Sequence, residues 1–300
     1  MRDDLSGLRE LILVAEKRSF TAAAAELRIT PSAVSQTVRG LEERVGVRLL
    51  QRTTRNVGLT EAGERFMSRL RPAMAAVHEA FDALGALRDR PAGVLRLTVS
   101  RIAYEQMLAS RMPAFLAAYP DITLDVSIDD ALTNIVEQGF DAGLRIGEML
   151  EREMIGVRLS ADLRMAVVGS PAYFAERGKP KHPRDLQAHE CLSYRRKTSG
   201  VIPRWEFTEN GKDFAVAVSG RLLINDADLM ASSAMAGLGV AYLIESHVRE
   251  LLTQKKLVRV LEGFCPPFPG FYLYYPSRAQ MAPKLKAFVD FFKYPSRAKG

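Results

Sequence analysis

Apolar positions recur at helical spacing through the first ninety residues, then switch to short strand-like runs separated by helical ones. Leu5, Leu8, Leu11, Ile12 and Ala15 share one face of a predicted helix over 4–17. A mostly alanine helix over 21–27 follows, alanine being the best helix former and small enough for close packing. Arg28 and Ile29 make a turn. Thr30 is placed to N-cap the next helix, and Pro31 falls at its first position, where no amide hydrogen is needed. In that helix Val34, Val38, Leu41 and Val45 repeat at intervals of 4, 3 and 4, one stripe facing a core, and Gly46 ends it.

The opposite face carries Ser32, Ser35, Gln36 and Arg39. An ordinary solvated helix face mixes Glu with Lys, whereas this one has no acid before Glu42. Serine and glutamine reach base edges in a major groove, and arginine reaches base or phosphate. Next, 47–51 and 56–59 read as a two-stranded wing whose tip, with Arg52, Thr53 and Arg55, is rich in phosphate-binding types. Between 28 and 55 six arginines oppose two glutamates, a local charge of 6 − 2 = +4. These features predict a winged helix-turn-helix that binds double-stranded DNA, with Thr30, Pro31, Ser32, Ser35, Gln36, Arg39, Arg52, Thr53 and Arg55 at the interface.

The run SFTAAAAEL, followed by SAVSQTVRGLEERVGVRLLQRTTRNVGLTEAG, resembles the signature of LysR-type transcriptional regulators. The resemblance implies a DNA-binding head, a linker helix that pairs two subunits, a two-lobe effector domain like a periplasmic solute-binding protein (type 2), and tetramers formed by further pairing of the sensors.

Independently of that likeness, Phe66, Leu70, Ala73, Val77, Ala80, Leu84 and Leu87 step by 4, 3, 4, 3, 4 and 3, the a/d seam of a coiled coil. Met67, Met74 and Phe81 widen the stripe, and Pro72 is expected to bend the first turns. The seam predicts a homodimer; the alternative is a helix lying along its own sensor domain. The organisation is then 1–60 for the winged helix-turn-helix, 61–88 for the linker helix, 89–93 for a hinge and 94–300 for the effector domain.

From residue 94 strands are expected at 94–99, 122–128, 141–146, 155–159 and 163–168, with helices near 103–118 and 132–138. A second set follows, with strands near 190–194, 204–208, 214–219, 221–224, 239–243 and 257–260, and helices near 171–177, 226–236 and 244–253. A strand over 270–275 and a helix over 281–293 close the chain. Such alternation predicts α/β architecture with mostly parallel sheets. By the resemblance, lobe one takes 94–164 and 272–300 and lobe two takes 165–271. MAGLGVAYL is similar to the family's second-lobe motif.

Composition changes this picture little. With 300 residues the chain is long enough for two or three domains, and 47% hydrophobic with 26% charged residues is ordinary for a globular protein. The net charge of +7 permits a polyanionic partner, but its concentration in the head is the stronger signal. Cys191 and Cys265 are too few and too far apart for a disulfide framework and read as reduced thiols of a cytoplasmic protein. The N-terminus lacks the pattern of a signal peptide, and no apolar run spans a membrane.

No catalytic chemistry is evident. His189 and Cys191 are a pair without further ligands, so no metal site is expected. Gly237-Leu238-Gly239 lacks the third glycine of a dinucleotide fingerprint and reads as a helix cap and turn, and acid pairs such as Asp129-Asp130 are common in loops. A regulator without cofactor, not an enzyme, is the expectation. A ligand cleft has more support, because ligands of open α/β sheets bind beyond the carboxyl ends of strands. Ser100 and Arg101 follow one strand and precede a helix, as do Asn225 and Asp226, and Arg145 ends a third strand. These five are the candidate effector residues, and a serine cap beside an arginine at a helix start favours a small organic anion. For each residue taken singly, simple capping without a ligand is the equal alternative. Rival readings are a solute receptor, an enzyme with a basic head, and a DNA-binding protein whose second domain only oligomerises.

Overall fold

The computed structural model describes residues 5–52, 57–85, 90–131, 134–147, 154–196, 199–276 and 281–295, the side chains at 52, 75 and 78–85 excepted. The chain divides into two compact units, Met1–Leu87 with Val136–Gly139, and Arg88–Ile135 with Phe140–Gly300.

The first unit opens with α1 (Leu8–Lys17), α2 (Phe20–Leu27) and α3 (Pro31–Val45). The polar signals act where the sequence places them. Ser19 accepts from the Ala22 amide, Thr30 from the Ala33 amide at 3.2 Å, and Gly46 ends α3 at φ 71° in the left-handed region glycine tolerates. Arg28 closes α2 at φ 56°, a left-handed conformation uncommon for a non-glycine residue, which sets the tight turn into α3. Two short strands, β1 (Leu50–Arg52) and β2 (Val57–Leu59), pair antiparallel as the wing.

The linker helix α4 runs from Glu61 to Gly85, capped by Thr60 Oγ1, which accepts from the Gly63 amide at 3.0 Å. A Cβ on Gly63 would lie 2.0 Å from the Leu49 carbonyl oxygen, so glycine lets α4 start close against the wing. Met67 and Leu70 are buried in the head's core with Leu11, Val14, Val34, Val38 and Leu41, and Phe66 and Met74 pack on its margin. The first half of the apolar stripe thus serves its own subunit, a correction to a seam devoted wholly to a partner. Val77 is 46% exposed; the side chains of Ala80, Leu84 and Leu87 lie outside the described residues.

In the second unit lobe one begins with β3 (Gly93–Val99), then α5 (Arg101–Ala103), which runs into a π-helical turn over Tyr104–Leu108, then α6 (Met112–Ala118). The single helix expected over 103–118 is broken because Pro113, without an amide hydrogen, starts a new one. Strands β4 (Ile122–Ile128), β5 (Ala142–Ile146) and β6 (Met154–Arg158) complete its first pass. The described residues of the helix expected at 132–138 form turns instead. Lobe two contains β7 (Leu163–Gly169), α7 (Pro171–Arg177), a 3-10 turn over Pro183–Ala188, β8 (Cys191–Tyr194), the hairpin β9 (Trp205–Glu209) and β10 (Lys212–Val216), β11 (Leu223–Ile224), α8 (Ala227–Met235), β12 (Val240–Ile244), α9 (Glu245–Thr253), β13 (Val258–Val260) and β14 (Pro267–Phe268). The chain then returns to lobe one through β15 (Phe271–Pro276) and α10 (Pro283–Phe292).

Among the described residues, the lobe-one sheet has the order β4-β3-β5-β15-β6, and the lobe-two sheet β11-β8-β12-β7-β13. Both are mixed, which corrects the mostly parallel expectation. β3 pairs parallel with β4 and β5, but β15 runs antiparallel to β5 and β6, and β7 antiparallel to β12 and β13. The antiparallel strands are those that carry the chain between lobes. Where the two connections cross, Leu159 donates its amide to the Phe271 carbonyl at 2.8 Å, and Ser160 Oγ accepts from the Phe271 amide at 2.8 Å.

Candidate nucleic-acid interface and sensor cleft

The apolar stripe of α3 is buried over Val34 and Val38, which have no exposed surface, and Leu41, which has almost none, whereas Val45, expected on the same stripe, is exposed where the helix ends. Helical periodicity then forces Thr30, Pro31, Ser32, Gln36 and Arg39 outward, with Ser35 half-buried. Thr30 Oγ1 shares a hydrogen bond with Ser32 Oγ at 3.0 Å, which ties the two hydroxyls at the start of the helix. Arg39 approaches Glu43 at 3.9 Å across an exposed turn, a weak pairing that leaves the guanidinium able to reach a stronger anion. The wing is fixed to α3 by Glu42, whose Oε1 accepts the amides of Leu49 at 2.8 Å and Leu50 at 2.9 Å. Sequence reasoning saw Glu42 only as a charge; a glutamate four residues before the C-cap of α3, with a strand entry next in the chain, is the signal for such a clip. Of the wing residues expected at DNA, Thr53 and Arg55 lie outside the described residues, as does the side chain of Arg52.

In lobe one, β3 and β4 end in register at Val99 and Ile128, so Ser100 and Asp129-Asp130 emerge side by side. Ser100 occupies the N-cap position but makes no cap bond; it is 8% exposed and its Oγ has no partner among the described residues. The cap role falls to Asp130, whose Oδ1 accepts the Arg101 amide at 3.0 Å. This acid pair, commonplace by sequence, is legible once β4 is known to lie parallel beside β3.

Arg145 lies elsewhere than expected. As a cleft-lining cation it would be open to ligand, yet it is 1% exposed. Its Nη1 donates to the Thr98 and Leu144 carbonyls at 3.1 and 2.9 Å, and its Nη2 to Thr98 Oγ1 at 3.0 Å and the Ala131 carbonyl at 3.2 Å. Burial pushes its pKa below the usual arginine value, opposed by the charges of Tyr274, Asp130 and Asp129. A buried guanidinium bonded to four acceptors, with only its Nε left without a partner among the described residues, is a brace beneath the 129–131 loop.

In lobe two, β8 and β11 pair parallel with Tyr194 opposite Ile224, so Tyr194 ends its strand beside Asn225 and Asp226. Asp226 caps α8, its Oδ1 accepting the Leu229 amide at 3.0 Å. Burial raises the Tyr194 pKa, and the charges of Asp130 and Asp226 raise it further. Those carboxylates come from opposite lobes. The lobes also touch where Ser246 Oγ, at the start of α9, donates to Gln106 Oε1 in the π-helical turn at 2.7 Å. Ser100 and Arg101 thus follow the end of β3 in lobe one, and Asn225 and Asp226 follow the end of β11 in lobe two.

Elsewhere, Tyr173 joins His189 Nδ1 at 3.3 Å, and burial pushes the Cys191 thiol up to about 12 and the Cys265 thiol up to about 11, which leaves both protonated and poorly nucleophilic. Among the described residues no cluster of His, Cys, Asp and Glu is arranged to hold a metal, and no helix is long and apolar enough to cross a membrane.

Residues 5–64 match the family model "Bacterial regulatory helix-turn-helix protein, lysR family", and residues 88–294 match "LysR substrate binding domain". The HTH-type transcriptional regulator PgrR of Escherichia coli is 41% identical over 293 residues, covering 98% of each chain. The structure of CrgA, a LysR-type transcriptional regulator from Neisseria meningitidis, superposes with a TM-score of 0.58 at 28% identity, over 95% of this chain and 96% of that one. AphB, a virulence activator of Vibrio cholerae, superposes with a TM-score of 0.64 at 25% identity, over 95% and 97%.

Proposed function

This chain belongs to the LysR family of transcriptional regulators, and from that premise we propose that it reads its operator through Ser32, Ser35, Gln36 and Arg39 of α3, with Thr30 and Pro31 setting the helix start. Arg52, Thr53 and Arg55 on the wing hold phosphate. The observation that carries this is the division of α3 into a buried apolar face, Val34, Val38 and Leu41, and an outward polar face without acid in its first turn. It works in the cytoplasm as a regulator, not an enzyme; the named relative at 41% identity is likewise a transcriptional regulator.

Two subunits pair through the rear half of α4, around Val77, Ala80 and Leu84. Val77 is exposed while the front of the stripe is spent on the head. The sensors pair further into a tetramer through their sheet edges, where Leu116 and Ile128 on lobe one and Leu223 and Leu229 on lobe two are exposed.

The effector is a small organic acid held between the lobes. Its carboxylate takes the unpartnered Ser100 hydroxyl and the Arg101 amide, which Asp130 now occupies with a carboxylate of its own. Asn225 and Asp226 meet the ligand from lobe two, and Arg145 supports the floor from beneath. Ligand binding changes the lobe arrangement and so the relative populations of two subunit arrangements on DNA. Selection of genomic fragments by the purified full-length protein, followed by titration of the recovered duplex with and without a panel of organic acids, tests the reading. Selective recovery of one operator and a shift in its affinity by an acid are expected; indiscriminate recovery contradicts it.

A further inference from the structure

Going beyond that reading, and resting only on its DNA-binding part, we infer that lobe two carries a second phosphate-binding surface. It is built on Lys179, Lys181 and Arg184 at the outer pole of the lobe, and it holds DNA that flanks the operator. Residues 177–184, RGKPKHPR, contain four Lys and Arg and no acid, a charge of +4 in eight residues where 28–55 needs twenty-eight to reach the same value. β7 runs antiparallel to β12, with Val168 opposite Ala241, and Cys191 starts β8 opposite Val240. The connection from Ser170 to Glu190 therefore lies at the end of the sheet opposite to the strand ends at Tyr194 and Ile224, apart from the cleft.

The loop holds these cations outward on a fixed backbone. Pro180 and Pro183 are buried, whereas Lys179, Lys181 and Arg184 are exposed. Asp185, the acid that follows, is engaged by the chain itself. Its Oδ2 accepts the Lys181 and His182 amides, at 2.9 Å each, and His182 Nδ1 accepts the Arg184 amide at 3.1 Å. Glu209, at the tip of the β9–β10 hairpin, approaches His182 Nε2 at 3.4 Å, and Phe214 stacks on that imidazole. The hairpin thereby brings the exposed Lys212 to the same pole. Lys179, Lys181, Arg184 and Lys212 form no ion pair among the described residues, whereas Arg177 pairs with Glu176 at 3.1 Å. Unpaired cations on a preset backbone meet phosphates with little backbone ordering. Their surroundings say which polyanion fits. No large apolar side chain is exposed between Pro171 and Glu190 or at the hairpin tip, and a protein interface needs such anchors. A phosphate backbone needs none.

The test titrates the selected operator, as a minimal duplex and embedded in long flanks of unrelated sequence, at several salt concentrations. It compares the full-length parent with Lys179→Gln/Lys181→Gln/Arg184→Gln, whose substitutions leave the Asp185 and His182 contacts to the backbone in place. The parent is expected to bind the flanked duplex on the order of tenfold more tightly than the minimal one, the scale of a few phosphate contacts. The triple variant should lose that gain and bind the minimal duplex as the parent does. Its salt slope on the flanked duplex should fall by about one unit for each contact removed. Lys179→Arg/Lys181→Arg/Arg184→Lys, which keeps the charges, should retain the gain. A parent indifferent to flanks, or a triple variant that keeps both gain and slope, overturns the inference. Equal loss on both duplexes also overturns it and assigns the loop to folding or to the operator itself. Competition by single-stranded RNA that removes the gain more readily than unrelated duplex DNA overturns it in favour of an RNA partner. Failure of the parent on the minimal duplex strikes the DNA-binding reading as well, and so separates the two failures.

Discussion

Arg145 holds Thr98 twice, through the backbone carbonyl at 3.1 Å and the side-chain hydroxyl at 3.0 Å, and so joins β5 to β3 inside lobe one. Arg145→Ala would remove a donor from the Thr98, Leu144 and Ala131 carbonyls and the Thr98 hydroxyl and leave a cavity, though the Leu144 carbonyl keeps the Ser100 amide at 3.3 Å. Each buried group left unpaired costs about 1–3 kcal/mol. The expected result in urea unfolding of the full-length protein is a loss of about 2–5 kcal/mol from the sensor transition, with the head unaffected. A variant as stable as the parent would show that the guanidinium braces nothing.

Glu42 couples the wing to the recognition helix through the Leu49 and Leu50 amides. Glu42→Ala should weaken binding to specific and scrambled duplexes together, because it frees the wing without touching the base-facing residues, and should cost the head about 1–3 kcal/mol. Glu42→Gln keeps an acceptor oxygen and should retain most of both. Loss of sequence preference in Glu42→Ala, with affinity for scrambled DNA unchanged, would contradict the clip.

His189 gives lobe two a pH dependence. The Glu190 amide donates to the Tyr173 hydroxyl, which shares a further hydrogen bond with His189 Nδ1 at 3.3 Å. Burial lowers the His189 pKa below the ordinary 6.5. The unfolded chain then binds a proton first as pH falls, so this contribution is complete above about pH 6.5 and is lost below it, down through the folded pKa. Thermal melts between pH 8 and 5 should show the decline, and His189→Asn should flatten it. An unchanged slope in that variant would assign the effect to another group.

The pairing proposed for the rear half of the α4 stripe is testable apart from the head. In such a seam a charge at Val77 or Leu84 would be desolvated without a partner and would cost several kcal/mol. Sedimentation of full-length Val77→Glu and Leu84→Glu should show smaller assemblies than the parent. Unchanged assembly in both would place the subunit contact elsewhere.

What the sequence made legible was local. Thr30, Pro31, the stripe from Val34 to Leu41 and Gly46 act within one helix, so caps and periodicity suffice to find them. Strand positions near 94–99, 122–128 and 163–168 were visible for the same reason. What was hidden depends on distant partners. Periodicity cannot say whether Phe271–Pro276 runs parallel or antiparallel to its neighbours, nor whether Met67 and Leu70 face a partner or their own core. Arg145 at a strand end reads as exposed, because its acceptors are spread over residues 98, 131 and 144. Asp130 read as an ordinary loop acid until the parallel register of β3 and β4 put it beside Ser100.

The central claim is that α3 reads base edges, and Gln36 tests it most directly because it is exposed, uncharged and free of any role in the core. Binding of Gln36→Ala should be titrated against the selected operator and a scrambled duplex at several salt concentrations. The account predicts a loss of about 1–3 kcal/mol on the operator half-site, little change on scrambled DNA, and an unchanged salt slope. Equal loss on both duplexes would contradict base reading by this helix.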